Sequence, residues 1–226
     1  MTVRALIFDF DGLLVDTETL HYQTWNSLYE SYGVKLRLER WLLDLGTHGM
    51  FDPVGELEEL LGRPIDRDAT LSDRRAHHIG LVEQEELRPG VREILAAGRE
   101  AGLTMAVASS SSRDWVERWL GHHAIREYFT CVCSRDDVRQ VKPAPDLFLC
   151  AAACLDIAPG ECIVFEDSPN GMRAAAAAGI RCVAVPNSLT ADLDLPPVAL
   201  RVDSLAELPL QELIERVEAA PVPAAG

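Results

Sequence analysis

From Arg88 onward, short apolar runs alternate with helix-length segments, and this alternation confines the chain to few folds. Val91 to Ala101 reads as a helix, and Leu103 to Ala108 as a strand closing on Ser109-Ser110-Ser111-Ser112. A helix from Arg113 to Leu120 precedes a strand at Phe129 to Cys133. A helix from Pro145 to Leu155 leads to the strand Cys162-Ile163-Val164-Phe165, and an Ala-rich helix ending at Gly179 leads to a strand from Arg181 to Val185. Leu200 to Glu218 adds a short strand and a helix, and Pro221 to Gly226 reads as a loose tail. Elements of these lengths form right-handed βαβ units, which predicts an α/β fold with a parallel sheet covered by helices on both faces.

One strand stands apart from this series. Val3-Arg4-Ala5-Leu6-Ile7 is a short bounded apolar run that leads into Phe8-Asp9-Phe10-Asp11-Gly12. The region from 15 to 86 then reads as helices alone. Asp16-Thr17-Glu18 starts the first, whose apolar positions Leu20, Trp25, Leu28 and Tyr32 run to Gly33. Others are predicted at Leu38 to Leu45, Pro53 to Leu61 and Asp68 to Glu86. The division is therefore a core of residues 1–14 and 87–226 with an inserted helical unit of 15–86. In an open parallel sheet the site lies at the carboxyl ends of the strands. A unit inserted directly after the first strand must sit over that edge, as a lid.

Asp9 and Asp11 lie two residues apart at a strand end, and Gly12 lets the backbone turn. Carboxylates so close repel unless a cation compensates, and a hard divalent metal such as Mg2+ favours oxygen ligands. A turn in which both aspartates bond backbone amides explains the stretch equally well. The remaining strand ends tilt the balance: Ser109 closes one, Lys142 precedes Pro143-Ala144-Pro145-Asp146, and Glu166-Asp167 closes another. Singly, Ser109 reads as a helix cap, Lys142 as a solvated lysine, and Glu166 and Asp167 as helix N-terminal acids. Together they put a nucleophile, an acid, a hydroxyl donor, a cation and a metal ligand on one rim.

With these residues in place the chain resembles the haloacid dehalogenase superfamily, through Asp9-Phe10-Asp11-Gly12, Ser109, Lys142 before a proline, and Glu166-Asp167. Asp16-Thr17-Glu18, Lys142-Pro143-Ala144-Pro145-Asp146 and Glu166-Asp167-Ser168-Pro169-Asn170-Gly171 resemble its β-phosphoglucomutase-like branch. The resemblance implies a Rossmann-like parallel-sheet core in a three-layer sandwich, with an inserted α-helical cap, and an aspartyl-phosphate mechanism. It makes Asp9 the nucleophile and Asp11 the acid and base, with Ser109 and Lys142 gripping the phosphoryl group. It also implies Mg2+ held by the side chains of Asp9 and Asp167 and the carbonyl of Asp11. Gly12, Thr17, His21, Ser110 and Glu166 are candidate substrate-side or supporting residues, Glu166 acting on the metal through water. The second aspartate argues against a dehalogenase, which has no leaving alkoxide to protonate.

The acceptor separates two enzymes, a phosphatase and a sugar phosphomutase. The mutase resemblance includes His21 in the first cap helix, which reads either as a cap-side proton gate or as an ordinary polar helix residue. The mutase also carries cations in the loop corresponding to Leu45-Gly46-Thr47-His48-Gly49-Met50, where this chain has only His48. That departure favours a phosphatase for a small sugar or polyol phosphate. Arg74, Arg75, His77 and His78 are candidates for replacement charge, and Trp25 and Trp41 read as cap core. A non-catalytic scaffold is disfavoured, since it has no need of Asp9, Asp11, Lys142 and Asp167 together.

A formal charge of −15, from 21 basic and 36 acidic side chains, disfavours nucleic acid and anionic membrane as partners. The expected partner is a small phosphorylated metabolite. Met1 runs straight into a strand with no basic-then-apolar leader, so no signal peptide is expected. The six cysteines form no CxxC pair and read as buried small hydrophobes, which predicts a cytoplasmic protein.

Overall fold

The computed structural model describes residues 3–47, 49 and 51–220. His48 and Met50 of the loop above, the start at Met1 and the tail from Pro221 lie outside the described residues.

Six parallel strands form one sheet in the order β3-β2-β1-β4-β5-β6, where β1 is Ala5–Phe8, β2 Thr104–Ala108 and β3 Cys131–Cys133. The other half is β4 (Cys162–Glu166), β5 (Arg181–Ala184) and β6 (Leu200–Arg201). The register is the functional point. Phe8 pairs with Val107 on one side and Phe165 on the other. Asp9, Ser109 and Glu166-Asp167 therefore leave the sheet at one edge.

Side chains alternate across β1 and fix the two outer layers. Leu6 and Phe8 face a cluster that includes Val91, Ile94 and Leu95 of α5 (Val91–Glu100), Val116 and Trp119 of α6 (Arg113–His122), and Leu213 and Val217 of the C-terminal helix. Ala5 and Ile7 face Leu147, Phe148 and Ala151 of the helix Asp146–Leu155 and Ala174 and Ala175 of the helix Pro169–Ala177, numbered α7 and α8. The C-terminal helix, α9, is Leu210–Ala219. Helices on both faces make this an α/β, Rossmann-like fold in three layers.

Between β1 and α5 the described residues hold four helices: α1 (Thr17–Ser31), α2 (Leu38–Trp41), α3 (Pro53–Leu61) and α4 (Arg67–Val82). Each long one starts where an aspartate caps it: Asp16 accepts from Thr19 N, Asp52 from Gly55 N and Asp66 from Ala69 N. These helices have their own core of Trp25, Tyr29, Trp41, Phe51, Val54 and Leu57. Both tryptophans are thus core residues. Val15 and Leu87 pair in an isolated antiparallel bridge where the chain enters and leaves this block. The expected helix 38–45 is shorter, since the chain breaks into turns that reach Gly46 at φ +70°. The fourth helix ends at Val82 rather than Glu86.

The cysteine expectation needs correction. Cys131 is bonded to Cys154 and Cys133 to Cys150. Residues two apart on β3 and four apart on α7 each share a face, and α7 lies against β3, so four thiols meet in pairs. Cys162 and Cys182 are free and buried. Cysteine usage therefore gives no argument for a reducing compartment. No helix of the described residues is long and apolar enough to cross a membrane.

Candidate active site

At the sheet's carboxyl edge, Asp9, Lys142, Glu166 and Asp167 are all buried. Lys142 is not the solvated lysine its type predicts. Its Nζ donates to Asp9 Oδ1 at 2.5 Å and to Glu166 Oε1 at 2.6 Å, and it lies 4.9 Å from the Phe148 ring centroid. Burial works against its charge, but the flanking Asp9 and Glu166 outweigh that and hold the ammonium above the ordinary lysine range. Glu166 Oε2 accepts from the backbone N and Oγ of Ser168, which itself caps α8 through Gly171 N. Glu166 is consequently a brace between Lys142 and the start of α8, not that helix's cap.

Burial pushes the Asp9 carboxyl up to about 7, against the pull of Lys142 beside it. It also raises Asp167 well above the usual carboxylate range, aided by Glu166 and Asp9. Two such groups side by side favour a cation between them. Asp9, Glu166 and Asp167 each bring an oxygen within 4.8 Å of the others. Asp167 Oδ2 accepts from Asn187 Nδ2 at 2.7 Å, whereas its Oδ1 is buried with no hydrogen-bond partner among the described residues. An orphaned buried oxygen in an all-oxygen donor set fits a hard divalent cation. Gly12 makes the space: at φ +83°, a Cβ there would sit 2.4 Å from Asp167 Oδ2 and 2.7 Å from Asn187 Nδ2. Arg88 ties that turn down by donating to the carbonyls of Gly12, Val185 and Pro186.

Asp11 turns toward the inserted helices. Its Oδ1 accepts from Thr17 Oγ1 at 2.6 Å and Trp115 Nε1 at 2.8 Å, and its Oδ2 from Ser111 Oγ at 2.6 Å and Ser109 Oγ at 3.2 Å. Ser109 is not a helix cap: its Oγ accepts from Ser111 N, and α6 begins after Ser112. A cavity of about 370 Å³ opens beyond Asp11, bordered by Thr17, Glu18, His21, Arg74, Arg75, His78, Ser110 and Trp115 among others. Asp9, Lys142 and Asp167 are not among its lining residues.

The roof of this cavity touches the core at defined points. Ser110 Oγ donates to Gly46 O at 2.9 Å, and Asn170 Nδ2 to Leu45 O at 2.8 Å. Gly46 is required there, since a Cβ would fall 2.0 Å from Ser168 Oγ. His21 Nε2 accepts from Trp25 Nε1 at 3.2 Å, and its ring stacks on His78 at 4.8 Å. Burial lowers His78 to about 4, outweighing its bond with the Thr17 carbonyl, so its ring is neutral near pH 7. Arg74 lies over Trp25 at 4.9 Å and burial lowers it to about 10, while Arg75 and His77 are exposed.

Apart from His77, which lines a separate hollow with Thr24 and Asp73, every candidate among the described residues lies in this one region. Ser111, Trp115, Asn187, Arg88 and Glu18 join the site in the structure and escaped sequence reasoning as candidates. Ser111 sits inside a run of four serines and Glu18 inside a helix-start cluster, so both carried a signal. Asn187 follows β5 outside any motif, and Trp115 looks like a helix core residue.

A model of the haloacid dehalogenase-like hydrolase family matches residues 6–185. The chain belongs to that family. Among its relatives, YhcW of Bacillus subtilis (strain 168) is 40% identical over 215 residues, covering 95% of this chain and 98% of the relative. Hexitol phosphatase B of Escherichia coli (strain K12) is 34% identical over 218 residues, covering 94% and 97%. The crystal structure of beta-phosphoglucomutase from Clostridium difficile shares the fold with a TM-score of 0.74, at 22% identity over 96% of this chain and 98% of that one.

Proposed function

We propose that this chain is a Mg2+-dependent phosphatase that hydrolyses a small phosphomonoester, a sugar or polyol phosphate, through a phosphorylated Asp9. The observation that carries this reading is the buried pair Asp9 and Lys142 beside the orphaned oxygen of Asp167. Lys142 donates to Asp9 Oδ1, which in this reading leaves the other oxygen to attack phosphorus. Two of the three ammonium donors serve Asp9 and Glu166, leaving one for a phosphoryl oxygen, with Ser109 as a second grip. The Asp9–phosphorus bond forms as the ester P–O bond breaks, and Asp11 gives its proton to the departing oxygen. Asp11 then takes a proton from the water that releases phosphate. Asp9, Asp167 and the Asp11 carbonyl would hold Mg2+, which when bound offsets the charge shared by nucleophile and phosphate.

Residues 15–86 act in this reading as a cap that sizes the substrate. A cavity of about 370 Å³ suits a small metabolite. The relative named hexitol phosphatase B supports a polyol or sugar phosphate. The phosphomutase alternative keeps one support, Arg74 and Arg75 lining the cavity from α4. It forecasts isomerisation of a hexose 1-phosphate only with a bisphosphorylated activator. Asp9→Asn tests the main reading. Turnover with Mg2+ should vanish while the melting curve stays cooperative, and wild-type-like hydrolysis by that variant refutes the covalent role.

A further inference from the structure

The four groups that hold Asp11 differ in kind. Thr17, Ser109 and Ser111 offer hydroxyls, which rotate and can donate or accept; Trp115 offers an indole N–H, which only donates. The Asp11 oxygen facing that N–H is therefore held from one fixed side. Resting on the phosphatase reading, we propose that Trp115 is a positioning residue for Asp11: its N–H holds Oδ1 and so sets the plane of the carboxyl, with Oδ2 beside Ser111 and Ser109.

The direction of the indole is itself built in. One face stacks on His78 at 5.3 Å with the planes 23° apart, and His78 stacks in turn on His21 at 4.8 Å and 20°. The buried Trp119 meets the indole edge-on at 5.4 Å. His78 is held by its Nε2 against the Thr17 carbonyl at 3.1 Å, and Thr17 is the residue whose hydroxyl reaches Asp11 Oδ1. A column of three rings thus runs from α1 through α4 to α6 and ends on the acid. Two χ angles set an indole, and with neighbours on its face and edge neither turns freely. The N–H is aimed at Asp11 before any substrate arrives, which is the preorganisation that proton transfer rewards.

Trp115 also lines the cavity, and a residue that is only a wall makes a different forecast. A wall alters KM for large substrates whatever their leaving group. A residue that aims the acid matters when the departing oxygen needs a proton, as in an alkyl or sugar alcohol, and little when it leaves as a stable anion, as from 4-nitrophenyl phosphate. The step concerned is phosphorylation of Asp9, which kcat/KM reports.

Trp115→Phe keeps a flat ring against His78 and removes the N–H. The test measures kcat/KM for 4-nitrophenyl phosphate and for the best alkyl phosphomonoester on one preparation each of wild type and variant. The ratio of the two rates cancels any difference in folded fraction. We expect a loss of about tenfold or more for the alkyl ester and less than about threefold for the aryl ester. Equal losses on both esters, or none on either, overturn the role of Trp115 while leaving the phosphatase reading intact. Wild-type protein inert toward both esters overturns the phosphatase reading and this inference with it.

Discussion

The floor beneath the cavity, which is the buried sheet edge behind Asp11, and the cavity's roof handle charge in opposite ways. On the floor, Lys142 is sealed between Asp9 and Glu166, and each of the three is nearly inaccessible. On the roof, Arg75 is exposed, Arg74 rests on an aromatic face, and neither makes an ion pair with a carboxylate among the described residues. Buried charges demand partners in fixed places, because an uncompensated one costs several kcal/mol. Exposed cations on a helix are replaceable at small cost. In the proposed function, a floor built this way fixes the chemistry, and a roof built this way is free to choose the substrate.

The contrast breaks first at Lys142. Lys142→Met leaves Asp9 and Glu166 buried without their cation, so unfolding in urea should show a loss of about 3 to 5 kcal/mol. Phosphate release should fall by at least about a thousandfold with it. A stable, active variant contradicts the floor as described.

A smaller effect belongs to His78, lowered to about 4 by burial in the folded chain against its ordinary 6.5. The unfolded chain takes up the proton first on acidification, so stability is complete above about pH 6.5 and is lost as the pH drops toward 4. Between pH 6.5 and 5 that loss should be on the order of 1 to 2 kcal/mol, visible as a falling melting temperature. His78→Asn should flatten this part of the pH profile, and an unchanged slope assigns it elsewhere. The smallest stability effect is expected from Arg75→Ala, within about 0.5 kcal/mol of wild type. Its signature is kinetic: a panel of sugar, polyol and nucleotide phosphates should be re-ranked, mainly in KM. An unaltered ranking removes Arg75 from substrate selection.

Much of the floor was legible in the chain. Asp9, Ser109 and Glu166-Asp167 close strands whose ends could be found from apolar runs and turn residues, and Lys142 was marked by the prolines after it. The parallel topology then forces those ends onto one edge, as the register of Phe8 with Val107 and Phe165 makes plain. The roof was less legible because its contacts depend on helix packing angles, which no local pattern encodes. Trp115 reads as a core residue of α6, and only the approach of α4 turns its face to His78 and its N–H to Asp11. The cysteine pairing was missed for a related reason. Spacings of two on a strand and four on a helix put thiols on shared faces, but that β3 and α7 are neighbours is a fact of the assembled sheet.

The central claim is that Asp9 takes up phosphorus. Wild-type protein mixed with Mg2+ and a hydrolysable phosphomonoester, quenched in acid within milliseconds and digested for mass spectrometry, tests it directly. The account predicts one added phosphoryl group on the peptide containing Asp9, absent from Asp9→Asn. Steady phosphate release with that peptide unmodified at every quench time, or the label on another residue, contradicts it.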